Sequence, residues 1–202
     1  MMKRSLSCLA IVGIAVLLSA CGFHLRGTGE TQLSLRELNL SARDSYGDTV
    51  RQVRTMLENN HVRINAGAPY TLYLAGEQQT QRTASYTSGA RSAEIELSTR
   101  LPYEIRGRND AVLLREELDT QRSYVTDENN IIGSEQQSQQ LRTEMRAELV
   151  RQLASRLQVI TPQRLETLQN EADARAQAEQ EAARAARESM PPQQSPIEIP
   201  SR

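Results

Sequence analysis

Residues 93–105 read AEIELSTRLPYEI, with Ala93, Ile95, Leu97, Thr99, Leu101, Tyr103 and Ile105 at every second position. Successive side chains of a strand point to opposite faces, so these seven share one face. Glu94, Glu96, Arg100 and Glu104 fall on the other. A strand with one apolar and one charged face belongs to an antiparallel sheet covered on one side only. Gly107 and Asn109-Asp110 supply a tight reversal, and Val112 to Tyr124 is predicted to return antiparallel.

On the C-terminal side a long helix is predicted from about Ser134. Leu141, Met145, Leu149, Leu153 and Leu157 form its stripe at four-residue spacing, widened by Val150 and Ala154. On the N-terminal side, Leu33, Leu35, Leu38 and Leu40 predict a strand whose alternation breaks near Arg36-Glu37. A helix follows, with Asp44 or Ser45 as cap and Tyr46, Val50, Val53 and Leu57 on its buried side; Asn59-Asn60 ends it. Val62 and Ile64 make a short extended piece, and Tyr70 to Gln78 a strand. Residues 79–90, rich in Gln, Thr and Ser, read as a polar edge or loop. The order β-α-β-β-β-α predicts an α+β sandwich, with two helices packed on one face of a roughly four-stranded sheet. That single domain spans residues 21–158. Pro162 closes it, and residues 159–202 form an appended tail. Its segment 163–189, of Ala, Glu, Arg and Gln without a sustained apolar stripe, is either a marginal solvated helix or disorder. Beyond it Pro191, Pro192, Pro196 and Pro200 exclude regular structure.

The first residues follow a different logic. Lys3 and Arg4 precede an apolar run from Leu9 to Leu18, closed by Leu18-Ser19-Ala20-Cys21. A transmembrane helix needs about 20 apolar residues, so this run reads as a removable signal spanning 1–20. A Cys directly after small residues resembles a lipobox, in which the Cys21 thiol takes a diacylglycerol and becomes the new N-terminus. Several acyl chains, at about 0.8 kcal/mol per buried CH₂, hold a protein to a bilayer. Cys8 lies in the discarded signal, so the mature chain offers neither a disulfide nor a cysteine metal cluster. Bacterial lipoproteins retained at the inner membrane carry Asp after the acylated Cys. Gly22 stands there instead, which implies the outer membrane and a periplasm-facing protein.

Composition narrows the function classes. Loss of Lys3 and Arg4 takes 24 basic residues to 22 against 25 acidic, a mature charge of about −3 that provides no pull towards nucleic acid. Lys3 is the only lysine, so the mature cations apart from histidine are arginines, whose planar forks suit phosphate and carboxylate. Six Tyr, one Phe and no Trp equip the chain poorly for base stacking or a broad apolar pocket. Catalytic constellations are lacking. His24 and His61 have no nucleophile motif beside them, and Glu116-Glu117 point to opposite faces of a strand. Gly27-Thr28-Gly29 lacks the rest of a phosphate loop. The reading is a non-enzyme with no cofactor and no metal.

The run Cys21-Gly22-Phe23-His24-Leu25-Arg26-Gly27 resembles the opening of the lipopolysaccharide-assembly lipoprotein LptE (RlpB) family. Thr83-Ala84-Ser85 leading to Ala93-Glu94, the strand end Arg122-Ser123-Tyr124 and the last amphipathic helix extend the likeness over residues 21–158. The resemblance implies a plug inside the outer-membrane β-barrel LptD that helps the barrel fold and binds lipopolysaccharide for insertion into the outer leaflet. In that family basic side chains near the turn after Thr-Ala-Ser, and beyond the Arg-Ser-aromatic strand end, contact lipopolysaccharide. The corresponding positions here are Ser88 and Ser134. Arg82, Arg91 and Arg122 lie close in sequence and are the candidate lipopolysaccharide ligands, through bidentate phosphate pairs, with Arg91 and Arg82 together expected to form the contact. A competing reading is a general periplasmic scaffold lipoprotein acting through its C-terminal helix. A lipid-anchored hydrolase is a third, for which no residue is a candidate.

Overall fold

The computed structural model describes residues 33–86, 92–127 and 129–189. They form β1 (Glu37–Ala42), α1 (Asp48–Asn59), β2 (Arg63–Ile64), β3 (Thr71–Leu74), β4 (Gln78–Tyr86), β5 (Ser92–Arg106), β6 (Val112–Asp127), α2 (Ile131–Gln158) and α3 (Pro162–Glu188). The architecture is α+β, as the periodicities predict, with more elements than expected.

The alternating stretch is the spine of the sheet. Along one edge β5 pairs antiparallel with β6, from Ser92 opposite Asp127 to Arg106 opposite Val112. Its other edge is shared end to end by β4 and β3. Leu74 faces Tyr103 and Gln78 faces Arg100, so four steps along β3–β4 meet three along β5. The extra residue is absorbed at Ala75–Glu77, where Gly76 has φ 108°, a conformation that an L side chain strains to reach. β1 then pairs parallel with β3 and with the two-residue β2.

Inward side chains of β5 meet α1 and α2. Leu97, Leu101, Tyr103 and Ile105 are buried, as are Val53 and Leu57 of α1. Of the α2 stripe, Met145, Leu149, Leu153 and Leu157 are fully buried, while Leu141 packs half-buried against Ala93, Ile95, Leu97 and Tyr124. Removing one such leucine typically costs 2–5 kcal/mol, about 3. The outward side chains of β6 from Arg115 to Val125 are all exposed, so the opposite face of the sheet is wet, as the charge pattern requires.

Several local expectations change. α1 begins at Asp48 after Gly47, which makes no side-chain cap; the Asp44 carboxylate accepts from the Tyr46 amide instead. Tyr46 therefore precedes the helix and is exposed. α2 starts earlier than Ser134, because the Asn130 side chain accepts from the Gly133 amide and caps it. Residues 78–86 resolve to an edge strand, every residue of it exposed.

The segment expected as helix or disorder is a helix through Glu188. Thr161 accepts from the Arg164 amide at its start, with Pro162 in the first turn. Leu165 is fully buried and Gln169 nearly so. The Gln169 side chain accepts from the Arg108 amide (2.8 Å) and donates to Asp173 (2.8 Å), whose carboxylate also takes the Arg108 guanidinium (2.9 Å). Gly107 makes this approach possible: a Cβ there would stand 1.8 Å from Gln169 Oε1. The first three turns of α3 thus belong to the packed unit, although 163–189 lacks a sustained stripe, because Leu165 and Gln169 are buried and Leu168 and Ala172 pack half-buried against the core.

Candidate functional site

β4 and the C-terminal half of β6, each paired with β5, carry two of the three predicted ligand residues, Arg82 and Arg122. Arg82 lies directly opposite Glu96. Its guanidinium donates through Nε (2.5 Å) and Nη2 (2.6 Å) to the two Glu96 oxygens, a bidentate pair on the wet face of the sheet. Arg122 lies opposite Leu97, one register position further on, and therefore on the helix-covered side. It is exposed and donates to the main-chain oxygen of Gln121. Its charge also reaches Glu148, whose carboxyl is held below the usual range chiefly by hydrogen bonds from Arg151 and Gln152. The sheet thus separates Arg82 from Arg122. Arg91, Cys21, His24, Gly27-Thr28-Gly29 and Ser88 lie outside the described residues. Ser134 sits in the first turn of α2, accepting from the Asp127 amide and donating to the Asn130 carbonyl, a structural position.

Two polar clusters were not legible in the sequence. On the wet face Glu104, nearly buried, receives hydrogen bonds from Arg106 (2.7 Å) and Arg115 (2.8 Å). Burial alone would raise its pKa, but those two guanidinium groups hold it below the usual carboxylate range. Arg106 also binds Asp110 and lies 3.9 Å above the Tyr73 ring centre. On the covered face Arg142 of α2 clamps β4, donating to Gln79 (2.6 Å) and Gln81 (3.1 Å). Register is the missing information in each case, since the partners lie up to 63 residues apart.

A cavity of about 290 Å³ opens where β1 ends and α1 begins, lined by Asp44, Asp48, Thr49, Glu77, Gln79 and Arg146 among others. Arg146 pairs with Asp48 (3.3 Å) and Glu77 (3.6 Å), and Thr49 donates to Glu77 (2.5 Å). These ion pairs tie α1, α2 and the β3–β4 step together, although the buried Arg146 Nε makes no hydrogen bond among the described residues. His61 follows α1 in the left-handed region (φ 59°) and is exposed, a helix-end position rather than a chemical one. Glu116 and Glu117 part as predicted: Glu116 accepts from Tyr103 inside, and Glu117 lies 3.8 Å from Arg100 outside. Among the described residues no group of three or more His, Cys, Asp or Glu is placed to hold a metal, and no helix is long and apolar enough to cross a membrane. What remains is a broad, mostly hydrogen-bonding surface, interrupted by a few exposed apolar side chains such as Tyr86, Val125, Ile131 and Ile132.

A family model described as LptE, lipopolysaccharide-assembly, matches residues 35–157. An LPS-assembly lipoprotein LptE of Photorhabdus laumondii is 30% identical over 153 residues, covering 73% of this chain and 82% of its own length. The protein of the same name from Yersinia pestis is 29% identical over 170 residues, covering 81% of each. The crystal structure of the rare lipoprotein B from Shewanella oneidensis superposes with a TM-score of 0.52 at 24% identity. It covers 71% of this chain and 98% of that one, which supports the fold.

Proposed function

Because this chain belongs to the LptE family of lipopolysaccharide-assembly lipoproteins, we propose that it works as a plug and folding partner inside the LptD β-barrel. Acyl chains on Cys21 hold it at the outer membrane, and it binds lipopolysaccharide on its way to the outer leaflet. The role is one of binding and assembly rather than turnover. The observation that carries this reading is the uncovered face of β5 and β6. From Arg115 to Val125 the outward side chains are exposed, and most are polar. A large barrel has a polar, wet interior, and a plug that fills it needs such a face rather than an apolar patch.

Phosphate contact falls first to Arg122, which is exposed and makes no ion pair in the described structure. Arg91 stands with it as the second candidate. Arg82 serves only if a phosphate displaces Glu96, whose side chain is 13% exposed and would lose its bidentate partner. Purification of the lipidated protein from outer membranes in mild detergent tests the reading. A one-to-one large β-barrel, lost together with surface lipopolysaccharide on depletion, is expected; a soluble periplasmic partner without a barrel overturns it. The scaffold alternative keeps one point in its favour, the exposed second half of α3 from Ala174 to Glu188. Deletion of that half with full complementation would remove its basis.

A further inference from the structure

The sheet ends in two long strands with different edges. Pairing of β1 with β3 stops at Ala42 opposite Leu74, and the last main-chain bond between them runs from the Arg43 amide to the Leu74 carbonyl (2.9 Å). The chain then turns away into α1, so among the described residues the edge of β4 that faces away from β5 has no partner strand. β4 is nine residues long and exposed throughout, an unpaired edge of about 30 Å.

Proteins usually block such an edge with charge, proline or a bulge. The free edge of β6 follows that rule, with Arg115, Glu116, Glu117, Asp119 and Arg122 in eight residues. β4 holds no proline and a single charge, Arg82, which Glu96 neutralises from the strand behind. Its register is regular from Gln78 to Thr83, and the irregularity comes only between Thr83 and Ser85. Arg142 holds Gln79 and Gln81 from the covered side, so the strand is stiffened from α2 while its outer edge stays open.

We propose that this edge pairs through its main chain with an extended, uncharged segment of the barrel partner, so that one strand of that protein continues the layer of β1 beyond Ala42. The inference rests on the plug reading and specifies how the contact is made. An uncharged edge repels neither sign, and strand addition takes its affinity from main-chain hydrogen bonds. Neighbouring residues on β4 present mostly Gln, Thr and Ser to both faces, so the added segment is polar on both sides rather than amphipathic. A closed barrel has no free strand edge of its own, which leaves a luminal loop or a strand not yet closed into the barrel as the partner segment.

Residue-resolved hydrogen–deuterium exchange, comparing the free protein with its purified one-to-one complex with the barrel, tests this. In an antiparallel pair alternate residues direct their amides to opposite edges. Within Gln78–Thr83 the amides already bonded to β5 are expected to exchange slowly in both samples. The alternate, outward amides should slow at least tenfold in the complex only. A complex that forms but leaves the outward amides as fast as in the free protein overturns strand pairing and leaves the plug reading standing. Slowing spread evenly over successive residues also overturns it, because that marks occlusion rather than a ladder. Failure to form any barrel complex removes the plug reading and this inference together.

Discussion

The hydroxyl of Tyr103 on β5 donates to the Glu116 carboxylate on β6 across 2.8 Å, and the two residues are direct cross-strand neighbours. Tyr103 is fully buried, so this bond satisfies a hydroxyl that the sheet carries into the core. Burial first, then the hydrogen bond and the negative charge of Glu116, push the phenol far above the ordinary tyrosine range. The folded state therefore holds this proton more tightly than the unfolded chain. Its stabilising share is complete below a pH of about 10 and is lost as pH rises further. Absorbance titration should leave one tyrosine un-ionised to pH 11 while circular dichroism stays native. Tyr103→Phe should abolish that late component and cost about 1 kcal/mol.

Glu104 governs the acid side. Its folded pKa lies below the ordinary value, so its contribution is present above a pH of about 4.3 and is lost as pH falls through the folded pKa. Arg106 is mostly buried and Arg115 mostly exposed, so the first bond carries most of the effect. Glu104→Gln should cost about 2 kcal/mol in urea unfolding at pH 7. The difference from the parent should shrink as pH falls below about 4 towards the folded pKa; a penalty independent of pH would mean that packing, not charge, explains it.

Docking of α3 predicts where the chain can be cut. Removal of residues from Ala174 onwards should leave the unfolding free energy within about 0.5 kcal/mol of the parent, because the described part of that segment, Ala174 to Ser189, is exposed throughout. Ending the chain at Gln158 discards the buried Ile160, Leu165 and Gln169 and should cost at least about 3 kcal/mol. Gly107→Ala should reproduce part of that loss by displacing Gln169. Proteolysis of the variant should then begin within residues 159–173.

Among the arginines the ion pair at Glu96 gives an order. Arg122→Ala should lower lipopolysaccharide retained in a pull-down at least threefold, and Arg82→Ala should change it little. Glu96→Gln frees the Arg82 guanidinium and should raise retention above the parent. If Arg82→Ala abolishes binding while Arg122→Ala does nothing, phosphate is taken on the wet face and Glu96 is displaced.

Local pattern was enough to establish the framework. The alternation from Ala93 to Ile105 defined the central strand, its buried face and its wet face, because side-chain direction in a strand depends only on parity. Spacing from Leu141 to Leu157 defined the packed helix because a helix returns to the same face every three to four residues, and the residues around Cys21 carried the family likeness. Tertiary structure decided what parity cannot hold. Register set Arg82 against Glu96 and Tyr103 against Glu116, and it put Arg82 and Arg122 on opposite sides of the sheet although both were candidates for one ligand. The one-residue step at Gly76 placed β3 and β4 on a single edge of β5. Leu165 and Gln169 turned a compositionally solvated segment into a docked helix through contacts with the turn after Gly107, about sixty residues earlier. Periodicity records how a segment divides its own faces between water and core; which distant segment meets each face is a property of the whole chain's packing.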